Sequence, residues 1–286
     1  HLFNFITKFV LYCLVAFSVG ANVFARDKPN IVYMLVDNWG WGDISVQGGT
    51  LPTPRIDTFA AQGMRFTNFN VQNQCTPTRS AIMTGRYPIR MGTQKVAAPG
   101  EPDGMAPWEY TIAELLSDAG YATALFGKWH VGSKVGRHPN DQGFDEWWGI
   151  NEGSNAAAYT STPQFDPSVA EVPHFWTGVK GQPSRTTEIY DIPAKATMDH
   201  RSTAKAIDFI TTRSAEEKPY FVYLGFTHFH PPWGVHPDFT GRSKAGVYAD
   251  TKMEVDYNIG RVLDAIDTTG GASNTIVILT GDNGAA

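Results

Sequence analysis

Residues 30–36 form a nearly unbroken apolar run, Asn-Ile-Val-Tyr-Met-Leu-Val, which stops at Asp37-Asn38. A run of that length without polar alternation suits a strand covered on both faces, as in a parallel sheet lying between helices. The pattern recurs at 121–126, 219–226 and 274–280, and each run leads into a polar cluster: Lys128 with His130, His228 with His230, and Asp282-Asn283. Helical segments lie between them. Residues 53–63 carry a cap, a first-turn proline and a closing glycine, 111–119 place Ile112, Leu115 and Leu116 on one face, and 201–213 and 248–266 read as longer helices. This order predicts an α/β fold with a mixed, mostly parallel sheet sandwiched by helices. Ligands of such sheets bind at the carboxyl ends of the strands, so the four clusters are expected to meet on one rim. Residues 64–71 read as a further strand. The stretch 133–197, rich in Gly, Pro, Asn, Ser and Trp, reads as loops and short elements that contact substrate.

A chain of 286 residues with 42% apolar content can bury a sizeable core. Its formal net charge of −5, with no basic stripe, argues against nucleic acid as a partner. Residues 1–25 hold a single charge, Lys8, then an apolar run over 9–19 and small or short residues before a cleavage point after Ala25. That is the pattern of a secretory signal peptide, with 26–286 as the catalytic domain of a secreted or periplasmic protein. Cys13 is lost with the leader. Cys75 is then the one remaining cysteine and has no disulfide partner, which directs attention to its chemistry.

Cys75 stands at the entry of a short helix with Pro77 in its first turn and Gly85 as its stop. The helix dipole, with Arg79 one turn in, favours an anion beside it. Taken alone, Cys75 reads as a small buried hydrophobe, and it is the surrounding residues that point to chemistry. Asp37, Asn38, Asp282 and Asn283 are hard oxygen donors in two adjacent pairs, a set that suits Ca²⁺ or Mg²⁺, although either pair alone is also ordinary turn chemistry. Lys128 and His130 alternate along a segment read as extended and so face one side, a point cation beside a group that moves protons near neutral pH.

Cys75-Thr76-Pro77-Thr78-Arg79, trailed by Thr84-Gly85-Arg86, resembles the C-x-P-x-R and T-G-R signature of the type I sulfatases, which share the alkaline phosphatase-like fold. Gly127-Lys128-Trp129-His130 and Asp282-Asn283-Gly284 match further segments of that family. The resemblance implies that Cys75 is oxidised by a formylglycine-generating enzyme to formylglycine, whose aldehyde hydrate is the nucleophile. It implies a divalent cation on Asp37, Asn38, Asp282 and Asn283 beside Cys75, with Asn38 standing where the family usually has a second aspartate and so leaving the site one negative charge short. Arg79 and Lys128 are expected to hold sulfate oxygens, His130 to assist formylglycine turnover, and His230 to contact the sulfate or protonate the leaving oxygen. His228 is a lesser candidate, and Asp43, Arg86 and Arg90 are read as structural. The implied activity is hydrolysis of the sulfate ester of a small molecule or carbohydrate. A phosphate or phosphonate ester hydrolase of the same superfamily and a catalytically silent binding relative are the alternatives. Family members continue into a smaller C-terminal domain, so the resemblance implies a chain lacking that part. Trp147, Trp148, Tyr159, Phe165, Trp176 and Trp233 are either sugar-stacking groups or core.

Overall fold

The computed structural model describes residues 28–97 and 103–285. The leader read at residues 1–25, with Cys13, lies outside the described residues. Seven strands form one sheet: β1 (Asn30–Val36), β2 (Ala122–Lys128), β3 (Glu146–Ile150), β4 (His174–Val179), β5 (Arg185–Ile189), β6 (Tyr220–Gly225) and β7 (Thr275–Gly281), in the order β5-β4-β3-β2-β6-β1-β7. The five from β3 to β7 in that order run parallel, while β4 and β5 add an antiparallel edge. The mixed, mostly parallel sheet expected from the apolar runs is therefore present.

The helices are α1 (Pro54–Gln62), α2 (Cys75–Thr84), α3 (Ile112–Asp118), α4 (Ile192–Ala215) and α5 (Val247–Thr268). They cover both faces because side chains of a strand alternate sides. On β1, Val32, Met34 and Val36 pack with Met198, Phe209 and Ile210 of α4 and Val255, Ile259 and Val262 of α5. Leu35 turns the other way, with Ile31 and Tyr33 packed alongside, toward Met83 of α2 and Ala113 of α3. Local signals explain the helix ends. Thr111 caps α3 in a reciprocal bond with Glu114, and Gly85 closes α2 at a φ of 66°.

Two expectations are corrected. Residues 64–71 are not a strand: they lie off the sheet with Met64, Phe66 and Phe69 exposed, and alternating apolar residues cannot form a ladder without an edge to pair with. The stretch 133–197 holds the short elements read there, β3, β4 and β5 among them, but also the start of α4, which begins earlier than read. Its short strands, one of them the wholly exposed Arg185–Ile189, carry too little apolar periodicity to stand out. Asp191 caps α4, accepting from the Ala194 N–H, and Pro193 sits in its first turn, so that helix begins nine residues before the predicted 201.

Candidate active site

The carboxyl ends of β1 and β7 lie side by side, with Val36 paired to Gly281, so the residues that follow them, Asp37 and Asp282, meet. Asp282 N–H donates to the Val36 carbonyl at 3.0 Å, and Asn38 N–H donates to Asp282 Oδ1 at 3.1 Å. Asn38 adopts a φ of 59°, a left-handed conformation that asparagine tolerates better than most residues, and this turns the chain off the sheet. Asn283 Nδ2 donates to Asn38 Oδ1 at 2.6 Å. The two predicted pairs thus form one cluster.

Cys75, the first residue of α2, enters that cluster. Its Sγ is 3.3 Å from Asp37 Oδ1 and 3.3 Å from Asn283 Oδ1. Burial, then the charge of Asp37, pushes the Cys75 thiol up to about 12. As a thiol it is therefore protonated and a weak nucleophile near neutral pH. A ring nitrogen of His230 completes a group with Asp37 and Cys75 whose ligand atoms all lie within 4.8 Å of one another. His230 Nδ1 faces the Pro231 carbonyl at 2.6 Å, and since a carbonyl only accepts, that nitrogen carries the proton. Burial outweighs the pull of Asp37 and holds His230 below its ordinary value.

Two buried cations brace the carboxylates. Lys128 Nζ lies 2.7 Å from Asp37 Oδ2, which also accepts from Ser154 Oγ at 2.6 Å. Burial works against the Asp37 carboxylate, yet Lys128 and Arg79 outweigh it and hold Asp37 well below the usual carboxylate range. Arg79, fully buried, donates to Asp282 Oδ2 through Nε at 2.9 Å and lies 2.8 Å from it through Nη2, while Nη1 donates to the Lys128 carbonyl at 2.8 Å. The guanidinium is therefore directed at a carboxylate and a carbonyl of its own chain. Burial and the charge of Asp37 raise Asp282 above its ordinary value.

The strand ends beneath Arg79 approach too closely for side chains. Gly127, Gly149 and Gly225 are paired across β2, β3 and β6, and a Cβ on Gly225 would stand 2.5 Å from the Lys128 carbonyl oxygen and 3.2 Å from Arg79 Nη1. His130 reaches the rim by a different route from the one read. Its φ is 60°, so the segment is not extended through it, and its carbonyl is held by Thr76 Oγ1 at 3.0 Å. Burial, then the positive charges of Lys128 and Arg79, keeps its imidazole well below the ordinary value, which leaves a neutral proton acceptor.

All nine residues singled out for the site thus gather at the strand ends. His228, by contrast, is fully buried behind the rim, with Nε2 3.3 Å from Glu254 Oε2. Arg86 pairs with Glu109, and Asp43 binds Lys252, Tyr248 and the Gly40 N–H, so both have partners outside the cluster. Trp147 and Trp148 are core, whereas Trp233, close in sequence to His230, is 43% exposed. Ser154 escaped the sequence reading because nothing in its Gly- and Asn-rich surroundings marks a ligand of Asp37.

The donor set fits a hard divalent cation. Two carboxylates and two amide side chains converge beside Cys75, with no cluster of thiolates or histidines of the kind that selects zinc among the described residues.

Comparison with known proteins identifies the family. The Sulfatase family model matches residues 29–286. N-acetylgalactosamine-6-sulfatase of Mus musculus is 36% identical over 275 residues, covering 92% of this chain and 51% of that protein. Arylsulfatase G of Mus musculus is 32% identical over 288 residues, covering 96% and 54%. The crystal structure of the PsFucS1 sulfatase from Pseudoalteromonas sp. superposes with a TM-score of 0.82 at 30% identity, over 89% of this chain and 55% of that one. The chain spans about half the length of the curated relatives it matches. On its fold, its site and these matches, the chain belongs to the type I sulfatase family.

Proposed function

We propose that this protein hydrolyses sulfate esters, and that Cys75 is the precursor of its nucleophile. The observation that carries this reading is the position of Cys75, 3.3 Å from both Asp37 and Asn283 while those two groups belong to an oxygen-rich cluster braced by Lys128 and Arg79. A buried, protonated thiol among carboxylates is poorly suited to attack as it stands. Conversion to formylglycine by a generating enzyme would supply a hydrate oxygen as nucleophile.

Asp37, Asn38, Asp282 and Asn283 would hold a divalent cation, Ca²⁺ or Mg²⁺, which when bound supplies positive charge for a sulfate oxygen. Lys128 sits on Asp37 at 2.7 Å and offers its ammonium to the same anionic group. Arg79 acts by fixing Asp282 and the Lys128 carbonyl, which refines the expectation that it grips sulfate itself. With its Nδ1–H held on the Pro231 carbonyl, His230 has Nε2 as the nitrogen that would first take up a proton and then pass it to the leaving alcohol oxygen, and the neutral His130 would accept one during release of sulfate. The S–O bond to the alcohol breaks, and water supplies the replacing oxygen over the full cycle. A sulfated sugar is the substrate class we favour, supported by the relative named for N-acetylgalactosamine 6-sulfate and by the exposed Trp233. We further propose that residues 1–25 direct export.

The test is turnover of matched aryl sulfate and aryl phosphate esters by full-length protein coexpressed with a formylglycine-generating enzyme. The sulfate ester is expected to be the faster substrate, and Cys75→Ala to be inactive. Faster turnover of the phosphate ester would transfer the site to the other hydrolase class.

A further inference from the structure

The turn that carries His230 is held from below as well as from the rim. Thr227 is fully buried and each of its polar atoms is engaged. Its N–H donates to both oxygens of Asp199, at 2.8 and 3.1 Å, and its hydroxyl donates to Asp199 Oδ1 at 2.9 Å. Its carbonyl accepts from Lys195 Nζ at 3.3 Å and from the His230 N–H at 3.2 Å. The next residue, His228, donates its N–H to Asp199 Oδ2 at 3.1 Å and sets its ring against Glu254 of α5. On the rim side, Asp37 N–H donates to the His228 carbonyl at 2.8 Å, and the Phe229 N–H donates to the Asp37 carbonyl. The turn is stitched to the cluster on one side and to α4 on the other.

Lys195 and Asp199 are four residues apart and so share one face of α4. Both are fully buried. Buried charges seldom stabilise a fold more than apolar side chains of the same volume would, and a buried polar network whose members are satisfied can instead fix one geometry. Here the geometry fixed is the path of residues 227–230.

We propose that Asp199, with Lys195 one turn earlier, is a positioning residue that sets the place of His230 over Cys75 and Asp37. The proposal deepens the sulfatase reading and rests on it only for the reaction that His230 serves. Asp199 touches neither Cys75 nor the oxygen cluster. It acts through Thr227.

Asp199→Asn keeps the shape and replaces one acceptor oxygen with an NH₂ that meets N–H donors. In full-length, matured protein we expect faster hydrogen exchange at the amides of Thr227 and His228. We also expect kcat to fall by about tenfold to hundredfold while KM stays within about threefold, because a misplaced proton donor weakens the transition state more than the ground state. Thr227→Val, which removes the hydroxyl bond, should lower kcat in the same direction, and Thr227→Ser, which retains it, should restore most of the loss. The Thr227 pair decides the matter if Asp199→Asn does not fold. Native exchange at both amides in Asp199→Asn, or Thr227→Val indistinguishable in kcat from Thr227→Ser, would overturn the proposal. A wild-type protein inactive on sulfate esters would instead sink the hydrolase reading, while amide exchange would still report on the clamp.

Discussion

Arg79 joins three elements through one side chain: Nε and Nη2 on Asp282 after β7, and Nη1 on the carbonyl of Lys128 at the end of β2. A lysine ends in a single ammonium and cannot reproduce that fork. Arg79→Ala leaves Asp282 buried and unpaired and is expected to cost about 3–5 kcal/mol in urea unfolding. Arg79→Lys should recover part of the stability without recovering turnover; an alanine variant as stable as wild type would show that Asp282 does not depend on this partner. His228 gives a pH signature. Burial disfavours its charged form, but Asp199 and Glu254 outweigh this and raise it above 6.5. A raised folded value means that its contribution to stability is fully present below the unfolded value near 6.5 and is lost as pH rises through the raised folded value. The thermal midpoint should therefore fall across that interval, and His228→Gln should flatten the fall. A variant with the wild-type slope would assign the dependence to another group.

At the scale of elements, α2 and the strand ends are the most legible parts of the sequence. Pro77 and Gly85 bound the helix, and the oxygen-donor pairs mark the ends of β1 and β7 because both strands are apolar up to their last residues. Other features have no local mark. The left-handed backbone of His130 is set by contacts such as Thr76 to its carbonyl, which no spacing rule encodes. Asp199 lies two residues ahead of the predicted helix start, so its place opposite the His230 turn is invisible in the sequence. Two glycines separate backbone preference from crowding. Gly85 has a φ of 66° and open space where a Cβ would stand, so Gly85→Ala should cost roughly 1 kcal/mol, the ordinary penalty of the left-handed region. Gly127 has a φ of 105° and its Cβ would stand 1.9 Å from the Gly225 carbonyl oxygen, so Gly127→Ala should part β2 from β6 and leave little folded protein. Comparable melting of the two variants would contradict the close strand contact.

For the whole molecule, the sheet with helices on both faces follows from the alternation of apolar runs and helical segments, but the strand order does not. β6 inserts between β1 and β2, and β7 lies outside β1, an arrangement fixed by packing between distant segments. That order is what brings Cys75, Lys128, His230 and Asp282 to one rim from four parts of the chain. On this rim Cys75, once converted to formylglycine by a generating enzyme, is proposed to be the nucleophile of a sulfatase. The most direct test of this proposal is the mass of the proteolytic peptide containing Cys75, from full-length protein made in its native host. An aldehyde or its hydrate is expected in place of the thiol; an unmodified cysteine in protein that turns over sulfate esters would contradict the assignment of Cys75 as precursor of the nucleophile.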